Sequence, residues 1–222
     1  MLDSLLSHIA PHYCCGCSKI GTLLCDNCKY DIVIDLYDCC IICSNPTDRR
    51  GICQECDVSY SRAWCVGERS DTLRRLIDGY KFCNTRSAYR SLAGLLFERI
   101  GQLPEGVVIV PIPTNPSHIR VRGYDHTLLV ARQLAKLQRR PIATLIRRAT
   151  HTTQRGASKS ERIMQAKGAF EVHSKLDPML TYLIIDDVMT TGATLQYATK
   201  ALLRAGAKNV WVAIVARQPL DV

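Results

Sequence analysis

Hydrophobic positions along the chain fall into two kinds of run. Ala63–Gly67 (AWCVG), Val107–Pro111 (VVIVP), Thr181–Asp187 (TYLIIDD) and Val210–Val215 (VWVAIV) are short, nearly continuous apolar stretches. Such runs suit parallel strands buried on both faces. Between them the apolar residues space out at helical period. Asp71–Phe82 places Leu73, Leu76, Ile77 and Tyr80 on one side, and Ser87–Ile100 repeats Leu92, Leu95, Leu96 and Ile100. Thr127–Leu137 and Ala193–Ala205 read as two further helices, the last stopped by Gly206. The alternation predicts an α/β fold, a doubly wound parallel sheet with helices on both faces. In such a sheet ligands bind beyond the carboxyl ends of the strands. Two stretches follow strands directly and are candidate sites: Val110–Arg122 (VPIPTNPSHIRVR) and Leu183–Thr194 (LIIDDVMTTGAT).

The first 60 residues break this pattern. They hold ten of the twelve cysteines and few large apolar side chains. A segment of that size cannot fold on its core alone. Eight of the ten form four C-x-x-C pairs: Cys14–Cys17, Cys25–Cys28, Cys40–Cys43 and Cys53–Cys56. Each pair turns two thiolates to one side, and two pairs complete the tetrahedral sulfur shell that zinc favours. The pattern therefore predicts two structural zinc sites. The sequential arrangement, first pair with second and third with fourth, is the expected one. Crossed pairing and slippage onto Cys15 or Cys39 are the alternatives. The composition divides the chain into residues 1–60, a double zinc ribbon, and 61–222, the α/β domain.

Charge divides at the same place. Residues 1–60 carry 4 Lys/Arg against 8 Asp/Glu, a net of −4, and residues 61–222 carry 25 against 12, a net of +13. The basic excess attracts anions, either a polyphosphate ligand or nucleic acid. No apolar run approaches the ~20 residues of a membrane span. The N-terminal stretch has Asp3 and no basic region ahead of its apolar residues, which does not suit a signal peptide. The expected location is the cytoplasm, without membrane insertion.

Leu183–Thr194 carries the most specific chemistry. A strand ends at Asp186–Asp187, and a helix starts near Ala193. Thr190–Thr194 then forms a helix N-terminus with free backbone N–H groups and Thr hydroxyls, an anion cradle. Gly192 allows close backbone approach. Carboxylates repel phosphate, so the ligand should offer hydroxyls at one end and phosphate at the other.

This stretch resembles the signature of the type I phosphoribosyltransferases, which bind phosphoribosyl pyrophosphate (PRPP). The resemblance implies that Asp186 and Asp187 take the ribose 2′- and 3′-hydroxyls. It implies that Thr190, Thr191, Gly192 and Thr194 hold the 5′-phosphate, within a contact stretch that includes Val188, Met189 and Ala193. VPIP resembles the family's pyrophosphate-side loop, which brings in Pro111 and Ile112. Arg122–His126 (RGYDH) resembles the R-G-F-N-Q box of the ComF group of competence-related proteins, with Tyr124, Asp125 and His126 departing from it. Arg148–Phe170 resembles that group's T-x-x-Q…R…F hood: Gln154, Arg162 and Phe170 fall in register, while His151, Ala157 and Gln165 depart. IDGYKF around Lys81 resembles its L-K-F box. A double zinc ribbon ahead of this domain is the ComF arrangement, so the resemblance covers nearly the whole chain.

What the resemblance implies is PRPP binding with Mg²⁺ and phosphoribosyl transfer centred on Asp186, Asp187 and Arg122. Arg120 and Arg122 would grip the pyrophosphate, and Lys159 and Arg162 would close over it from the hood. The acceptor is not readable in the sequence. A PRPP-binding sensor without turnover, or a nucleic-acid-binding adaptor, is the alternative. The ComF resemblance also implies work on single-stranded DNA during natural transformation, together with the uptake machinery. The basic pairs Arg139–Arg140 and Arg147–Arg148 fit that partner. Tyr13, Tyr30, Tyr37, Tyr60 and Trp64 are either stacking platforms or core filler.

Overall fold

The computed structural model describes residues 12–34, 38–47, 50–69, 71–149 and 170–219. Its strands are β1 (Arg62–Glu68), β2 (Val107–Pro111), β3 (Arg147–Arg148), β4 (Phe170–Glu171), β5 (Thr181–Met189) and β6 (Asn209–Arg217). Its helices are α1 (Asp26–Ile34), α2 (Asp71–Phe82), α3 (Tyr89–Ile100), α4 (Pro116–Arg122), α5 (His126–Gln138) and α6 (Ala193–Arg204). The four apolar runs become one parallel sheet in the order β1-β6-β5-β2. β3 and β4 pair separately as a short antiparallel ladder.

Alternating strand residues feed two cores, as the two-residue period of a strand requires. Leu183, Ile185, Ala213 and Val215 face α2, α3 and α5. Tyr182, Ile184, Val212 and Ile214 face α6. Helices thus cover both faces, but unequally. The second face is completed by the cysteine-rich segment, whose Ile41 and Tyr60 are buried in that core.

Three contacts fix this segment to the sheet. Ala63 N donates to Arg50 O at 2.8 Å, which covers the free edge of β1. Gly51, with φ +69°, makes this approach possible, because a Cβ there would lie 2.3 Å from the Ala63 carbonyl oxygen. Arg217, at the end of β6 and fully buried, donates to Ile42 O at 2.9 Å and to Ser44 Oγ. The earlier cysteines sit on the other face. There Leu24 joins the core of α2 and α3, and Lys29 pairs with Glu98 of α3 at 2.7 Å.

Two helices lack a periodic apolar signal. α4 is set by its ends: Asn115 Oδ1 accepts from Ser117 N at 3.0 Å, Pro116 opens the first turn, and Gly123 closes it at φ +77°. α1 buries no residue and follows the Cys25–Cys28 pair. Among the described residues no helix is long and apolar enough to cross a membrane.

Candidate functional site

The site lies where the chain leaves the sheet in opposite directions. From β2 it runs through α4 and α5 and returns at Ile142, which bridges Ile109 in parallel on the outer side of β2. From β5 it runs through α6 and returns as β6 on the other side. The crevice between β2 and β5 is therefore a topological switch point, the usual ligand position in an open α/β sheet. The two sequence-derived candidate stretches both open onto it.

The adjacent acids at the end of β5 differ sharply. Asp187 is buried, and both its oxygens are engaged. Oδ2 lies 2.9 Å from Lys81 Nζ and 2.9 Å from His126 Nε2, while Oδ1 accepts from Val188 N at 2.6 Å. Burial alone would raise its pKa; the hydrogen bond from His126 and the charge of Lys81 outweigh that and hold the carboxyl below the usual range. Asp186 is partly exposed, and its Oδ1 accepts from Asp187 N at 2.9 Å. Its restricted solvation, and then the charge of Asp187, push its carboxyl up to about 7. One acid is thus a fixed anion and the other titrates near neutrality.

Three elements supply the partners. Lys81 comes from the last turn of α2, and His126 opens α5 behind Asp125, whose Oδ1 caps the helix by accepting from Leu128 N at 3.0 Å. Arg122 reaches back from α4, with Nη1 2.9 Å from His126 Nδ1 and its guanidinium over the Phe82 ring. His126 Nδ1 also lies 3.2 Å from Thr114 Oγ1, while Nε2 faces Asp187. Thr114 Oγ1 donates to Asp125 Oδ1 at 2.7 Å and closes the network. The Lys81 ammonium balances the Asp187 carboxylate within the protein.

The other expected residues are placed unevenly. Thr190 and Thr191 are exposed, and Gly192 (φ +76°) leads into α6, where Ala193 N donates to Thr191 Oγ1 at 3.4 Å. Pro111, Ile112 and Met189 are buried, and Val188 packs against the core of α2, α3 and α5. These four offer a ligand backbone groups rather than side chains. Arg120 is exposed and, two residues from Arg122, points off another face of α4. Lys159 and Arg162 lie outside the described residues. The hood's two ends meet in β3 and β4, where Arg148 donates to Pro113 O at 2.9 Å, beside the crevice. Arg140 is a structural clamp on the carbonyls of Leu103 and Pro104 rather than a free basic residue. Lys81 and His126 carried only a box resemblance in sequence. Their meeting at Asp187 depends on contacts across 106 and 61 positions and has no local signature.

The cysteines gather as two four-sulfur groups, Cys14/Cys17/Cys25/Cys28 and Cys40/Cys43/Cys53/Cys56, the sulfurs of each within 4.8 Å of one another. This is the sequential pairing. Sγ separations of 3.6 Å (Cys17–Cys25) and 3.5 Å (Cys43–Cys53) are too long for a disulfide. They approach the ~3.8 Å edge of a tetrahedron with ~2.3 Å zinc–sulfur bonds. Backbone N–H groups serve the sulfurs. Burial would raise the Cys14 thiol, but N–H groups of Cys17, Cys25 and Gly16 bring it down to about 6. Each group fits one closed, structural zinc ion. The first knuckle of each repeats the other: Ser18 and Ser44 take φ of 62° and 65°, and bridges Tyr13–Ile20 and Cys39–Pro46 flank them.

Comparison with known proteins agrees with this geometry. The family model for the phosphoribosyl transferase domain matches residues 129–221. Competence protein F of Haemophilus influenzae is 30% identical over 95% of this chain and 93% of its own. Competence protein ComFC of Bacillus subtilis is 24% identical over 82% of this chain and 79% of its own. The DNA utilization protein YhgH of Salmonella typhimurium is 26% identical over 85% and 94%. The first of these similarities runs almost from end to end, through cysteine groups and crevice alike, and on that ground the chain belongs to the ComF family of competence-related proteins, with a phosphoribosyltransferase-like α/β fold.

Proposed function

We propose that the crevice between β2 and β5 binds PRPP and supports phosphoribosyl transfer, in a protein that serves the handling of single-stranded DNA. The observation that carries this reading is the asymmetric acid pair beside a phosphate-type loop. Asp186 has an oxygen left for a ribose hydroxyl. Asp187, held by Lys81 and His126, adds a fixed charge without opposing the ligand's phosphates. The 5′-phosphate would sit on Thr190–Thr194 at the start of α6, where N–H groups and hydroxyls favour an anion. Arg122 would shift from His126 to the pyrophosphate, with Arg120 alongside and Lys159 and Arg162 closing from the hood. Cleavage at the anomeric carbon passes through an oxocarbenium-like state, so the protein's task is to orient the ring and receive the leaving group. Mg²⁺ entering with PRPP would spread the charge of the departing pyrophosphate.

Calorimetry with PRPP and Mg²⁺ tests the site. Asp186→Asn/Asp187→Asn should lose binding, and equal affinity in both proteins would overturn the reading. Release of pyrophosphate with a panel of bases separates an enzyme from a PRPP-binding sensor. The relatives' names bring DNA to this chain as a proposed partner. Tyr13 and Tyr30 are exposed on the first cysteine group, as stacking residues would be, whereas Tyr60 and Trp64 are buried. Anisotropy of labelled single-stranded DNA should weaken steeply with salt and with Tyr13→Ala/Tyr30→Ala.

A further inference from the structure

A cavity of about 580 Å³ lies between the second cysteine group and α6. That volume is typical of small-molecule sites, which run from about 300 to 1,000 Å³. One wall is a stripe of α6. Ala193, Gln196, Tyr197, Lys200 and Arg204 recur at helical spacing and line it, while Leu195, Ala198 and Leu202 face the sheet. The opposite wall is Asp57, Val58 and Tyr60. Gln196 staples the walls together: its Oε1 accepts from Ser59 N at 3.0 Å, and its Nε2 donates to Asp57 O.

Three observations give the cavity a chemistry. Tyr60 is 3% exposed and lines the cavity, and its phenol oxygen has no hydrogen-bond partner. A buried hydroxyl left unpaired is costly, so a small turn of the ring that brings it to a ligand's polar atom is favourable. Lys200 and Arg204, one turn apart, have no ion-pair partner among the described residues. The one carboxylate in the lining is Asp57, and Cys56 of the second cysteine group lies beside it on the same wall, so Lys200 and Arg204 face it from α6. Tyr60, Tyr197 and Val58 supply flat, apolar contact area between these polar points.

We infer that this cavity is a second ligand site, for an aromatic organic phosphate of the nucleoside monophosphate class. The phosphate pairs with Lys200 and Arg204, and the ring system lies between the tyrosines, with Tyr60 Oη brought to it by a small turn of the phenol ring. The site adjoins the crevice through Thr191 and Gly192 but uses neither Asp186 nor Asp187. It stands whether or not the crevice takes PRPP.

Titration of the full zinc-loaded chain with AMP, GMP, CMP and UMP, followed by calorimetry, tests it. At least one should bind saturably at a site that is kept when the crevice is disabled by Asp186→Asn. Lys200→Glu/Arg204→Glu, on the outer face of α6, should weaken it at least tenfold, and Tyr60→Phe about tenfold, the equivalent of ~1.4 kcal/mol. Asp186→Asn should leave it unchanged. No binding by any of the four would overturn the inference. So would binding that survives the charge reversal, that is lost in Asp186→Asn, or that inorganic phosphate displaces equally well.

Discussion

The two cysteine groups have the same knuckle and opposite surroundings. The first is only half covered: Leu24 is buried and Cys15 packs against the core of α2 and α3, while much of its surface stays open. Around it Tyr13, Ile20, Tyr30 and Ile34 are all more than half exposed. The second turns inward: Ile41 is fully buried, and Ile42 touches the loop that opens α6. The sequence spacing is nearly the same in both. What differs is the residues between the cysteines, Cys15–Gly16 in one and Ile41–Ile42 in the other. A metal knuckle is therefore a mount, and its two central residues set how deeply it enters a core.

The largest expected effect comes from removing one ligand from each group. Structural zinc contributes on the order of 10 kcal/mol of folding free energy. Cys53→Ser should lower the melting temperature of the entire chain. Cys17→Ser should unfold its own group and lower the sheet's circular dichroism transition by much less than Cys53→Ser does. Equal losses would erase the contrast.

Next in size is Lys81→Met, which disturbs the crevice without touching either group. Stranding a buried carboxylate costs about 3–5 kcal/mol, softened here by His126. Urea unfolding should show a large loss with both zinc ions retained, and adding Asp187→Asn should recover part of it. A fully additive double mutant would deny the pair.

A smaller effect is expected at the contact between the inward group and the phosphate-type loop. A Cβ on Gly192 would lie 2.7 Å from Ile42 Cδ1, and its φ is +76°. Gly192→Ala should cost about 1–2 kcal/mol from the left-handed backbone alone. Because Ile42 Cδ1 is a flexible tip, Ile42→Val should relieve only the steric remainder. If Ile42→Val restores full stability, the backbone conformation is not the constraint.

The last expectation concerns pH dependence, where the partial exposure of Asp186 discounts what its shift contributes. Asp187 has a depressed pKa, so its contribution is present above the unfolded value of about 4 and is lost as pH falls below it. Asp186 is raised to about 7, so it opposes folding increasingly as pH climbs from about 4 towards 7. Asp186→Asn should gain stability over wild type across that window, with no further gain above it. A constant difference at all pH values would contradict the assignment.

The four main strands were legible as short continuous apolar runs, and the helices between them as apolar residues at helical period. β2 spans Val107–Pro111 and α2 spans Asp71–Phe82, matching their sequence patterns end to end. The cysteine pairing was legible because metal geometry is local. α4 was not, since its information lies in Asn115, Pro116 and Gly123 rather than in apolar spacing. The acids were readable as a pair, but their inequality was not. Nothing near Asp187 announces Lys81 or His126, and an exposed Arg120 reads the same in sequence as a packed Arg122.

Arg217 ties the last strand to the second cysteine group, 173 positions after Ser44. During synthesis at about 5–20 residues per second, roughly 10–35 s pass before that arginine can follow the knuckle out of the ribosome. Through this interval Ile41 has no sheet to rest on and the thiolates have only zinc to occupy them. A zinc ion taken up by the knuckle in that interval would keep the thiolates occupied until the last strand arrives.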